Sequence, residues 1–194
     1  MGPGDRILTV VGRRLLLALP LLAIGCGTMH TPGPPATLPA GAIAGLASRE
    51  RVLPPSVLSA EALDHAHLAR LLEQSGYVTG REREFYGRTS SFSHVTSRAL
   101  RFASPRGAAA YLTWAQAHTV NTVGAQRSTR TLNVGDGGIV VRARGCGCHG
   151  ETPTFLATWR HGPLVLWLLA SGPGADARRV DALAGRLDGL TKPA

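Results

Sequence analysis

Leu164-Val165-Leu166-Trp167-Leu168-Leu169-Ala170 is apolar at every position. A strand with one wet face alternates apolar and polar residues, whereas a short unbroken run fits a strand covered on both faces. The run predicts the central strand of a sheet, with helix on one side and other chain opposite. Pro163 stands at its first position, where a strand tolerates proline. His161-Gly162 turns the chain back onto Thr154–Arg160, so the two segments form a hairpin. Pairing across it puts Trp159 and Trp167 on opposite faces.

A second hairpin precedes the first. Gln126–Val134 and Ile139–Arg144 fold about Asp136-Gly137, a favoured tight-turn pair. Pairing Val134 with Ile139 predicts a core face of Leu132, Val134, Ile139 and Val141. Arg127, Thr129, Thr131, Arg142 and Arg144 then form a basic outer face. Ser104-Pro105 predicts a helix start, with Ser as cap and Pro at the first helical position, and the helix runs to about His118. Its Ala108, Leu112 and Ala115 are expected to face a sheet, with Tyr111 or Trp114 at the margin. Ser59 is the expected cap of an earlier helix, about Ala60–Gln74, ended by Gly76. Tyr77–Tyr86 predicts an edge strand carrying alternating charge at Arg81, Glu82, Arg83 and Glu84, and Ser93–Ala103 predicts another strand. The last helix, about Asp176–Leu190, places Val180, Leu183, Ala184, Leu187 and Leu190 at helical spacing.

These elements predict an α+β fold, a single mixed or antiparallel sheet of about six strands with two to three helices packed on it. Leu100-Arg101-Phe102-Ala103-Ser104-Pro105 and Leu168-Leu169-Ala170-Ser171-Gly172-Pro173 each follow a strand pair and lead into a helix. A tandem ββα arrangement is one reading; two similar turns by coincidence is the other.

The chain before residue 56 has a different character. Arg13-Arg14 precedes an apolar run from Leu15 to Ile24 that is too short to cross a bilayer. A basic start, a short apolar run and small residues at its end make an export signal. Ala23-Ile24-Gly25-Cys26 resembles the lipobox of bacterial lipoproteins, with Ala23 where Leu is commonest. That resemblance implies acylation of Cys26, for instance by palmitate, and cleavage just before it. The alternative is an ordinary cleaved signal that contains a cysteine. Arg13-Arg14 with Leu-Leu also resembles a twin-arginine signal, although a plain basic start explains it as simply. Thr31-Pro32-Gly33-Pro34-Pro35 and the Ala/Gly/Pro mixture after it predict an extended tether. The expected organisation is a leader over 1–25, a lipidated cysteine and tether over 26–55, and an extracytoplasmic domain over 56–192.

The strand–Ala-Ser-Pro–helix element, the Val-Gly-Asp-Gly-Gly turn at 134–138 and the apolar penultimate strand resemble small actinobacterial envelope lipoproteins. They are also similar to the extracellular sensor domains of their kinases, of PsbP-like α/β type. The resemblance implies a binding or accessory role in the cell envelope, and no functional residue is carried over from it.

The formal net charge is +9. Such a balance often marks nucleic-acid binding, but an exported chain meets anionic lipid and acidic wall polymer instead. Docking on such a surface is expected of Arg127, Arg142 and Arg144, against the plainer reading of a solvated strand face. A partner protein of the envelope is the other expectation. No cofactor is expected, since the chain has no P-loop, no dinucleotide fingerprint and no Gly-x-Ser-x-Gly elbow.

Gly145-Cys146-Gly147-Cys148-His149-Gly150 is the most unusual string after the leader. With Cys26 acylated, Cys146 and Cys148 remain as an even pair in an oxidising compartment, which favours a disulfide. Free thiols, a metal site of Cys146, Cys148 and His149, and a redox catalyst are the alternatives. A one-residue gap is poor for zinc, and the redox reading lacks Cys-x-x-Cys. His65 and His67 point in different directions on a helix, and His94 and His161 read as ordinary surface residues. Glu82 and Glu84 share a strand face between arginines, as an exposed edge of mixed charge. The expected function is a lipid-anchored extracytoplasmic binding module without enzymatic activity. Thiol-disulfide or metal handling at Cys146, Cys148 and His149 is one alternative. Carriage of an apolar ligand, such as a lipid, in a cavity between sheet and helices is the other.

Overall fold

The computed structural model describes residues 34–119, 126–144 and 152–191, with side chains described over 34–119, 128–143 and 152–191. All of them belong to one compact unit, Gly33–Ala194. The described residues form strands β1 (Ala47–Val52), β2 (Tyr77–Tyr86), β3 (His94–Phe102), β4 (Gln126–Leu132), β5 (Gly138–Arg144), β6 (Pro153–His161) and β7 (Leu164–Ser171). The helices are α1 (Pro55–Ala60), α2 (His65–Gln74), α3 (Pro105–Ala117) and α4 (Ala177–Gly189). One sheet holds the strands in the order β1-β2-β3-β7-β6-β5-β4, and every neighbouring pair is antiparallel.

The apolar run is β7, and β7 is the middle strand of the sheet. Its alternate side chains enter different cores. Leu166 and Leu168 pack with Trp159 of β6 and with Val180, Ala184 and Leu187 of α4. On the opposite face Val165 packs with Leu100 and Phe102 of β3, Leu58 of α1, Leu72 of α2 and Tyr111 of α3. Val141, Ala143 and Leu156 extend that second face, with Trp167 and Leu169 against them. The chain order thus contains two ββα units, β2-β3-α3 and β6-β7-α4, whose helices cover opposite faces.

Local chemistry sets the helix starts. Ser104 is extended, and its hydroxyl accepts from the Gly107 N–H at 3.1 Å with Pro105 at the first helical position. Asp176 accepts from the Arg179 N–H at 2.8 Å to start α4.

Several expectations are corrected. There are seven described strands rather than about six, because the expected tether from Pro34 to residue 55 is folded chain. Leu38, Ile43 and Leu46 are buried in the α4-side core, and Ala47–Val52 adds a strand beyond β2. Composition hid this: a few leucines among Ala, Gly and Pro suffice when a formed sheet face receives them. β2 is consequently not an edge. Its alternating charges meet an opposite set on β1, with Arg49 opposite Glu84, Glu50 opposite Arg83 and Arg51 opposite Glu82.

The helix expected over Ala60–Gln74 begins only at His65, as α2, and a separate short helix, α1, precedes it. Asp64 caps α2 by accepting from the His67 N–H at 2.9 Å. Ser59 is buried within α1, and its hydroxyl donates to the Ser56 carbonyl. Leu190, expected on the core face of the last helix, is exposed just beyond α4.

The β4–β5 hairpin turns where predicted but pairs in another register, Thr131 with Ile139 and Leu132 with Gly138. The shift is an odd number of residues, so it moves alternate side chains to the other face. Leu132 shares a core with Val140, while Val141 joins Leu156 on the opposite face. Arg142 then lies on the Val140 side, its guanidinium 5.9 Å from the centre of the Phe155 ring. The hairpin has no face that is wholly basic.

Candidate functional site

The α1–α2 turn, α2 and the C-terminal half of α3 border a cleft of about 580 Å³. Trp167 of β7 and Arg98 of β3 contribute from the sheet side. Trp114 comes from α3, His67 from α2, and His118 caps the end of α3. Leu58, Ala62, Leu68 and Ala115 supply aliphatic wall, and Leu63 stands at the rim with 85% of its surface exposed.

The aromatic groups are stacked in series. Trp114 lies 4.5 Å from the His118 ring and 6.5 Å from the His67 ring, both nearly parallel to it. His118 Nδ1–H donates to the Trp114 carbonyl at 2.7 Å. The Arg98 guanidinium sits 5.0 Å from the Trp167 ring centre, within cation–π range.

Arg98 anchors an ion network beside the cleft. Its Nε donates to Glu82 at 2.8 Å, and its Nη2 donates to both Glu82 and Glu61. Arg51 reaches the same two carboxylates from β1, each at 2.7 Å. Glu82 is only 5% exposed. Burial by itself would push its carboxyl up, but the Arg98 and Arg51 guanidiniums outweigh burial and hold it below the usual range. Burial by itself would lower Arg98; Glu82 and Glu61 outweigh that and raise it. The four charges cancel, and the α1–α2 turn is tied to the sheet through Glu61.

Burial pushes the Tyr111 hydroxyl up to about 12, so it stays protonated at neutral pH. This hydroxyl and Arg98 Nη1 make no hydrogen bond among the described residues. Trp114 Nε1–H is buried without a partner among the described residues.

Of the residues singled out from sequence, Cys26, Cys146, Cys148 and His149 lie outside the described residues, and so do the side chains of Arg127 and Arg144. Arg142 lines a smaller recess of about 300 Å³ with Arg130, Phe155 and the start of α4. Among the described residues no group of three His, Cys, Asp or Glu could hold a metal ion, and no helix is long and apolar enough to cross a membrane.

His65 and His67 do diverge: His65 Nδ1 lies 3.2 Å from the Ser59 carbonyl, while His67 turns to Trp114. His161 lies 3.2 Å from Asp188, which also accepts from Trp159 Nε1–H at 3.2 Å. Glu82 and Glu84 share a face as expected, but Glu82 is buried in the Arg98 network rather than on an exposed edge. Trp159 and Trp167 are on opposite faces as predicted; Trp159 is core, and the tryptophan that joins Trp167 at the cleft is Trp114. Sequence reasoning missed this group because His67, Arg98, Trp114 and Trp167 come from four separate elements. The one local signal was Trp114 and His118, four apart on a helix and hence neighbours on its surface.

No protein-family model matches the chain, and no curated protein matches it. Among solved structures, the extracellular domain of PknH from Mycobacterium tuberculosis is similar at 14% identity and a TM-score of 0.45, over 73% of this chain and 78% of that one.

Proposed function

We propose that this chain is an extracytoplasmic binding module of the cell envelope, anchored to the membrane through acylated Cys26, that holds a small apolar ligand in the α1–α3 cleft without chemistry on it. The cleft is the observation that carries this reading. Its volume of about 580 Å³ falls in the range of small-molecule sites, and its wall is mainly apolar and aromatic with a few polar groups, as such sites are. Glu61 and Glu82 beside it are each paired with two arginines, and one oxygen of Asp64 caps the start of α2. That arrangement suits holding a ligand better than proton transfer. A sizeable cleft favours the carrier alternative over docking by a flat basic face.

A native mass spectrum of the full chain, released from the membranes of cells that export it, tests the reading. Mass retained on wild type and lost from Ala115→Trp, which fills the cleft from α3, is the expected result. A bare wild-type chain that also fails to take up an apolar fluorescent dye overturns it.

A further inference from the structure

We propose that the ligand of the α1–α3 cleft is an acyl amphiphile, an aliphatic chain ended by an ester or carboxyl oxygen. This rests on the cleft being a ligand site and names the chemistry it would select.

The apolar half of the argument is geometric. A planar aromatic ligand needs an open ring face to stack on. Trp114 already stacks with two imidazoles, at 4.5 and 6.5 Å, and Trp167 carries the Arg98 guanidinium at 5.0 Å. The remaining apolar wall is Leu58, Ala62, Leu68 and Ala115 together with ring edges. Such a wall offers dispersion contact along a chain rather than a platform. Leu63, the most exposed of the large apolar side chains described, stands at the rim where a chain leaving the cleft would cover it.

The polar half follows from which groups remain unspent. Both Glu61 oxygens accept from arginines, Oε1 from Arg51 and Oε2 from Arg98, and Asp64 caps α2. Arg98 Nη1, the Tyr111 hydroxyl and Trp114 Nε1–H are donors without a partner among the described residues. A head group that accepts hydrogen bonds meets Arg98 Nη1 and the Tyr111 hydroxyl, which belong to cleft-lining residues. An ammonium head faces the Arg98 guanidinium, and the two acids nearest to that group, Glu61 and Glu82, are already paired with arginines. A pure hydrocarbon covers these donors without pairing them, which costs free energy.

The test uses the full chain in the membranes where it is made. Three diazirine probes of one chain length are compared: a methyl ester, the plain alkane and the primary amine. After irradiation, cross-links are mapped by peptide mass. The ester should label the peptides carrying residues 58–68 and 111–118 several-fold more than the alkane or the amine. Tyr111→Phe, which removes only the hydroxyl, should cut ester labelling by about threefold to tenfold and leave alkane labelling unchanged. Amine or alkane labelling equal to that of the ester, or indifference of the ester to Tyr111→Phe, overturns the acyl head while the cleft stands as an apolar site. Absence of label from both peptides with every probe, or label that persists undiminished in Ala115→Trp, overturns the cleft reading itself.

Discussion

Glu82 shows how much one side chain holds at the residue scale. It accepts from Arg98 on β3 and from Arg51 on β1, so it joins three strands, and Glu61 extends the tie to the α1–α2 turn. Glu82→Gln leaves Arg98, whose side chain is 12% exposed, with a weaker partner. Breaking a buried pair from one side costs several kcal/mol; with Glu61 still present a loss of about 3 kcal/mol is expected in urea unfolding. The sign of the pH dependence is set by the lowered carboxyl. Its contribution is complete above the unfolded glutamate value of about 4.3 and disappears as pH falls through the lower folded value. Wild type should therefore lose stability below about pH 4. Glu82→Gln should lack that step, and equal acid slopes for the two proteins would show that the network contributes nothing.

At the scale of elements, the docking of α3 depends on a backbone contact. Gly107 lies in the first turn of α3, where a Cβ would run into the carbonyl oxygen of Ser75 at the end of α2. Ordinarily Ala stabilises a helix relative to Gly by about 1 kcal/mol. Here overpacking against a backbone atom should reverse the sign, with Gly107→Ala destabilising by about 3 kcal/mol and lowering Tm by about 10 °C. A Tm equal to or above wild type would mean that α3 does not rest on α2 in this way. The same contact explains how α2 and α3 come to stand together as two walls of the cleft. The β4–β5 hairpin teaches the converse lesson. Its Asp136-Gly137 turn was legible, yet its register was not, because the hydrophobic alternation of Leu132-Asn133-Val134 fits two pairings equally well. What selects between them is burial of Leu132 and Val140 against Phe155 and α4, a contact made only once the sheet has formed.

At the scale of the whole molecule, the chain from Pro34 to Val52 is part of the domain. Leu38 is fully buried, and its N–H donates to the Ser97 hydroxyl of β3 at 3.1 Å. Any tether after the proposed anchor is therefore confined to residues before Pro34, and a domain anchored at Cys26 would lie close to the membrane. Metabolic labelling with palmitate checks that anchor: wild type should be labelled and Cys26→Ala unlabelled, whereas equal labelling removes the lipoprotein reading.

The sequence by itself determined the elements and the class of fold. Period-two and unbroken apolar runs placed β2, β3, β6 and β7 within a residue or two. Ser104-Pro105 placed the start of α3, and β7 was correctly read as central. These are local signals, carried by neighbours along the chain. Tertiary structure alone decided the pairing of β1 with β2, the β4–β5 register, the opposite placement of α3 and α4, and the cleft. Each of those depends on contacts between residues far apart in sequence. Arg49-Glu50-Arg51 reads as a solvated charge run until β2 supplies its complement in Arg83, Glu84 and Glu82. Likewise His67, Arg98, Trp114 and Trp167 carry no common spacing, because a site assembled from four elements exists only when the packing of those elements brings them together.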